Sequence, residues 1–316
     1  MESTSYHPLF QVTQEEMTNV RQSYNLDVKK INENLDILEQ WFKKQDHLVE
    51  ALPYIKRDML ERFLILGRGS IEKTKAIIDK VLTIRELLSD FFTYDTNTIF
   101  DEFETFLDNI IITPLPKINP NDCTRIFLLG LMNADFEDIN MVNIAKFACF
   151  LISTRMYYDY NFSHHLIFDF KHVKASAITK INPMVLRKIE VIFTDSYKAR
   201  VKGLHVINAP PFIHKVVALI SLVLKEKIIK RIYIHSTYDD LYQHIPKDIL
   251  PKEYGGDQMS CEDLAQLMKD FIKSDAGRRT IEDSSKIVAN ESRRSTIKFN
   301  EEYMGMPGSF KNLNVD

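Results

Sequence analysis

Two hydrophobic periods alternate along this chain. Over residues 27–92 the period is helical. Leu35, Leu38, Trp41 and Phe42 form one stripe, Met59, Leu60, Phe63 and Leu64 a second, and Ile77, Ile78, Val81, Leu82, Ile84 and Leu88 a third. Gly67 and Gly69 punctuate the second and third helices. Ser70 is a candidate cap for the third, although Lys73 stands where a capping box wants Glu or Gln. Residues 1–24 are polar and predict a flexible amino terminus. After Pro114, Pro116 and Pro120 the pattern changes. Strand-like runs at 125–129, 165–170, 204–207 and 231–235 are separated by helical stretches at about 141–157 and 183–199. That order predicts an α/β fold with a mainly parallel sheet behind an all-helical amino-terminal part. Beyond Gly256 the chain turns polar again, and an irregular extension with one helix near residues 261–272 is expected.

One segment breaks the amphipathic rule. Within residues 209–224, after Pro210 and Pro211, only His214, Lys215 and Ser221 are polar. Phe212, Val216, Leu219, Ile220 and Val223 share one helical stripe, which Ile213, Val217 and Leu224 widen. A helix apolar nearly all round must be buried against something, and a hydrophobic guest is one candidate. The run is shorter than the roughly 20 residues that span a bilayer, and it carries Lys215. The amino terminus lacks a basic region followed by an apolar core, so no signal peptide is expected and the reading is cytoplasmic.

Composition changes this picture little, but charge placement changes it more. At 316 residues and 45% hydrophobic content the chain suits one large domain with a smaller one, or two moderate domains. Cys123, Cys149 and Cys261 are odd in number and far apart, which predicts buried free thiols in a reducing compartment rather than a disulfide framework or a metal site. Net charge is −3, yet residues 198–231 hold eight cations against the single anion Glu226. A basic segment beside an apolar helix suggests membrane phosphates and argues against nucleic acid, while a solvated charged face is the plainer alternative. The run of His164, His165, Asp169 and His172 does not suggest a metal site, because adjacent strand residues point to opposite faces. The stretch from Gly67 to Ser70 lacks the lysine of a phosphate loop, and no GxSxG, HExxH or Cys–His nucleophile pattern occurs. No catalysis, metal or cofactor is expected.

The wording of several blocks carries a resemblance. "KGLHVINAPPF", "LKEKIIKRIYIHS" and "LYQHIPKDILPKEYGG" resemble the CRAL-TRIO lipid-transfer family. "LDILEQWFKKQDHL" and "ERFLILGRGSIEKTKAIIDKVLTIRELLSDFF" look like its helical amino-terminal part, and "HLIFDFKHV" with "INPMVLRKIEVIFTDSYKARVKG" like its lipid-binding core. "MGMPGSFKNLNVD" is similar to the tail of the insect branch that is like the α-tocopherol transfer protein. The resemblance implies a flexible stretch at 1–24, a helical domain at 25–93, a lipid-binding domain at 94–257 with an apolar cavity and helical lid, and an extension at 258–316.

Residue by residue, the resemblance places His164 and Phe168 on a cavity-lining strand and Ile181, Ile189, Ile192 and Phe193 on the helical region after it. It places Leu204 on the next strand, and Phe212, Ile213, Val216, Val217 and Ile220 on the lid. Strand parity agrees, because positions 164, 166 and 168 share a face. Read without the family, a solid core of these side chains would be the favoured reading. His164 stands where relatives are typically apolar, and it could orient a ligand hydroxyl or carbonyl or serve a protein neighbour. The resemblance also implies that Arg200, Lys227 and Arg231 bind phosphoinositide head groups. The family's arginine-bearing "FLRAR" reads Phe63-Leu64-Ile65-Leu66-Gly67 here, with Arg68 the nearest substitute. The implied function is uptake of a tocopherol, retinoid, carotenoid or other lipid and its transfer between membranes through the cytosol, by a protein peripheral at membranes. A lipid-sensing adaptor that never delivers its guest is the rival.

Overall fold

The computed structural model describes residues 7–161 and 163–295, so the closing "MGMPGSFKNLNVD" lies outside the described residues. Capping and apolar stripes organise the amino-terminal helices. Helix α1 (Gln14–Ser23) opens with a full capping box, in which Thr13 and Glu16 satisfy each other's backbone N–H groups. It buries Met17 and Val20. The segment expected to be flexible therefore contains a capped, docked helix, and the missed signal was the Thr13-x-x-Glu16 spacing. Helix α2 (Val28–Phe42) is capped by Asp27. After α3 (Arg57–Leu66), helix α4 (Ile71–Leu87) starts at Ser70, whose hydroxyl accepts the Lys73 N–H without a reciprocal partner. The three predicted stripes meet in one core, with Trp41 half-buried at its edge.

Helix α5 (Ile99–Asn109) runs directly into β1 (Ile110–Pro114). Then follow β2 (Arg125–Leu131), α6 (Met141–Tyr158), β3 (Ser163–Asp169) and α7 (Pro183–Glu190). A π turn (Val191–Ser196) leads to β4 (Arg200–Ile207), α8 (Ile213–Ser221), α9 (Glu226–Ile229) and β5 (Ile232–Ile234). The strands lie in the order β1-β2-β3-β4-β5, parallel throughout except for antiparallel β1. Strand β1 was not anticipated because its five residues are all buried, which erases the period of two. Pro114 is tolerated there because the strand is an edge.

Parallel strands that are neighbours in both sequence and space, joined by right-handed connections, carry their helices on one face. Helices α6, α7 and α8 lie on that face. The opposite face is covered by the segment after β5, including α10 (Tyr238–Tyr242), where Ile126, Leu128, Ile167 and Ile207 pack against Leu241, Ile245, Ile249 and Leu250. The carboxyl-terminal part holds two helices where one was expected, α11 (Cys261–Lys273) and α12 (Asp275–Ser284). Helix α11 joins α5 through Met268, Phe271, Phe103 and Leu107, with Lys273 pairing Glu104 at 2.7 Å. The chain then returns to α4, where Ala289 N–H donates to Leu82 O at 3.0 Å and Arg294 pairs with Asp79 at 2.7 Å. The cysteines are free: Cys149 and Cys261 are buried, and Cys123 is half-buried rather than buried.

Candidate functional site

Strand parity and register build the floor of a cavity. Phe127, Leu166, Leu204 and Ile232 form one row across β2 to β5, and Leu129, Phe168 and Val206 form the next. All seven side chains face the helix-bearing side. Helix α6 adds Ile144, Ala148, Leu151 and Ile152 as one wall; α7 and its π turn add Leu186, Ile189, Phe193 and Thr194 as another. Helix α8 roofs the space with Ile213, Val216, Val217 and Ile220. The cavity volume is 380 Å³.

The residues placed on this site from sequence come together with two exceptions. His164, Phe168, Ile181, Ile189, Phe193, Leu204, Ile213, Val216, Val217 and Ile220 all line the cavity. Ile192 does not. The helix predicted over 183–199 ends at Glu190 and widens into the π turn, and Ile192 turns into the core of the amino-terminal helices, fully buried. Phe212 precedes the first turn of α8 and lines an adjoining 150 Å³ chamber, bounded also by Phe168, Phe170, Ile181 and Val216. The apolar helix expected to reach residue 224 ends at Ser221, and Leu222 beyond it is 81% exposed. Val206 and Leu129 were missed although parity with Leu204 and Phe127 offers them. The α6 wall was missed because α6 is buried on nearly every side, so no single stripe marks a cavity face.

Few polar groups reach this space. His164 is buried with its ring edge-on to Phe127, centroids 5.9 Å apart. Arg155 is buried and pairs at 3.0 Å with Asp159, which pairs equally with Arg125. Burial opposes the Asp159 charge, but the two guanidiniums carry its carboxyl below the usual range. Glu190, with no exposed side-chain surface, pairs with Arg187 and approaches Lys225.

His165 points to the other face, as alternation requires. There a hydrogen-bonded row runs from Asp122 to His165 (3.5 Å), to His205 (2.8 Å), to His235 (2.9 Å). Gly203 makes room for it, since a Cβ at that position would collide with both His205 and His165. Burial, with the neighbouring imidazoles, pushes His205 down to about 3. The row is spaced for hydrogen bonding, and no cluster among the described residues could hold a metal ion.

Of the basic residues singled out, Arg200 is half-buried on β4, and Lys227 and Arg231 are exposed. Lys227 and Arg231 are four residues apart and would face one way only if that turn were helical; α9 ends at Ile229, so only Lys227 is helical. The Arg231 guanidinium donates to the carbonyl of Val201 and stays beside β4. Arg68 is exposed in a left-handed turn. No helix among the described residues is long and apolar enough to cross a membrane.

Residues 120–256 match the family model of the CRAL/TRIO domain, and residues 27–97 that of a Pinta-like UBA domain. The chain is 37% identical over 92 residues to the human alpha-tocopherol transfer protein-like protein, covering 29% of this chain and 27% of that one. It is 38% identical over 92 residues to rat clavesin-2, covering 29% and 28%. The match thus spans little more than a quarter of these relatives. A crystal structure of Sfh5 aligns with a TM-score of 0.44 and 13% identity, over 84% of this chain and all of that one.

Proposed function

Because residues 120–256 match the CRAL/TRIO domain family, we propose that the chain takes one hydrophobic small molecule into the cavity under α8 and carries it between membranes. The observation that carries this reading is the 380 Å³ space lined almost wholly by apolar side chains and roofed by a single helix. A lipid burying about 400 Å² of apolar surface gains about 10 kcal/mol against water, and a bilayer offers a similar gain. Exchange therefore needs a gate that opens at the membrane, so that the guest never crosses water. Helix α8 suits the task, with apolar residues beneath, exposed Leu222 at its far end and the cations Lys225, Lys227 and Lys230 in and beside α9 next in the chain. Arg200, Lys227 and Arg231 are the residues proposed to meet phosphoinositide head groups. The protein works as a carrier, not an enzyme, and its place is the cytosol with peripheral attachment to membranes. The guests that fit are a tocopherol, a retinoid, a carotenoid or another lipid.

Mass spectrometry of an organic extract of the purified protein identifies the guest. A donor-to-acceptor vesicle assay with that guest then tests delivery: accelerated transfer is expected. Tight binding with no acceleration would replace the carrier with a lipid-sensing adaptor.

A further inference from the structure

Glu190 is a carboxylate with no exposed side-chain surface in the wall of a mostly apolar cavity. Such a charge is costly to bury unless it is paired. Its two oxygens are held by different parts of the chain. Oε2 accepts from Arg187, one turn earlier on α7. Oε1 accepts the backbone N–H of Lys225 at 3.3 Å and lies 3.9 Å from the Lys225 ammonium, which also pairs with Asp195 in the π turn. Lys225 stands where the chain leaves the lid, since α8 ends at Ser221 and α9 begins at Glu226.

The near end of the lid is fixed by Pro210 and Pro211, and Ile213 N–H donates to Pro210 O at 3.0 Å. Helix α8 itself gives apolar side chains to the roof, and its Ser221 hydroxyl turns back on the Val217 carbonyl. Polar attachment of the far end therefore falls to Lys225. That side chain is 36% exposed, within reach of a ligand from outside, and exposed Leu222 lies three residues before it. When Lys225 leaves, Glu190 keeps Arg187, so opening strands no unpaired buried carboxylate.

We propose that Lys225 latches the far end of the lid to Glu190 and Asp195, and that an anionic phospholipid surface opens the lid by drawing the ammonium away. The latch rests on the cavity reading and adds its regulation: Lys225, Glu190 and Asp195 are positioning residues that act through α8. The exposed cations Lys227 and Arg231 bring the phosphate-bearing surface to the latch. A neutral surface offers nothing that competes with two carboxylates.

The test loads the full-length protein with the fluorescent hydrocarbon diphenylhexatriene and follows its release to phosphatidylcholine vesicles with and without phosphatidylserine. The parent should release about tenfold faster when phosphatidylserine is present. Lys225→Gln should release fast to both vesicles, Asp195→Asn should behave alike, and Lys225→Arg should restore the difference. A Lys225→Gln protein that keeps both the slow release to neutral vesicles and the acceleration by phosphatidylserine overturns the latch. A parent protein that takes up no diphenylhexatriene overturns the cavity reading, and the latch with it.

Discussion

The guanidinium of Arg85 donates a 2.8 Å hydrogen bond to the main-chain carbonyl of Ile287, 202 residues downstream. The same side chain, buried in α4, donates to Ser284 O and Oγ, to Ser153 Oγ on α6 and to Tyr197 Oη beside the π turn. One arginine thus joins an amino-terminal helix, two elements behind the cavity walls and the carboxyl-terminal segment. Its charge faces neutral oxygens alone in these bonds, so their number is what offsets the cost of burying it.

Arg85→Leu should therefore destabilise the protein by about 3 kcal/mol, since it leaves several buried acceptors without a donor. Urea unfolding of the variant beside the parent gives the figure. A loss under about 1 kcal/mol would mean that these groups find other partners and that Arg85 is not the joint described here.

Phe168→Asp should abolish uptake of hydrophobic guests and leave the protein folded. The side chain sits in the second row of the cavity floor and is half-buried, so a carboxylate there faces open space that water can enter. Burying the same charge in a filled core would cost several kcal/mol. Circular dichroism with a fluorescent-guest titration distinguishes the cases, and complete unfolding would speak against a cavity at this position.

How far these features could be read in advance depends on how each element is buried. Strands β2 to β4 stand out because turns and helices bound them, and parity alone puts 164, 166 and 168 on one face. Strand β1 is apolar at every position because it is covered on both sides, and that removes the alternation that would mark it. Helix α1 was hidden by its polar composition, although its capping box was in plain view. The misplacement of Ile192 has a different origin. A π turn adds a residue to the helical period, and nothing in Val191-Ile192-Phe193-Thr194 announces it. Glu190 and Lys225 were out of reach for a related reason: their contact joins residues 35 apart through tertiary packing, and no local pattern reports it.

Stability should fall with acid below neutral pH. His205, at about 3, and His7, pushed down to about 4 chiefly by burial, both sit below the ordinary imidazole value of 6.5. The unfolded chain therefore takes up protons below pH 6.5 that the folded chain refuses. The folded state is at its best above 6.5 with respect to these groups, and it loses ground as pH falls from there toward 3 to 4. At pH 5 each contributes a loss of about 2 kcal/mol. Urea midpoints at pH 7.5 and 5 measure the sum, and His205→Gln should reduce the slope. A midpoint that does not move between the two pH values would mean that the buried imidazoles protonate in place.

Replacing Arg200, Lys227 and Arg231 together by alanine should weaken binding to phosphoinositide-containing vesicles by roughly a hundredfold, since each cation near an anionic surface contributes about 1 kcal/mol. The positions differ in how freely they can act. Lys227 and Arg231 are exposed, whereas Arg200 is half-buried and Arg231 already donates to the Val201 carbonyl. Lys227 alone should therefore account for a larger share than Arg200 alone. The difference should shrink as salt rises, because exposed charges are screened within about 10 Å at 0.1 M. Guest affinity in solution should stay unchanged, since none of the three lines the cavity. Co-sedimentation with vesicles, with and without phosphoinositide, checks each part. Equal binding by parent and variant at low salt would reduce the patch to a solvated face and leave the lid to find its membrane by apolar contact alone.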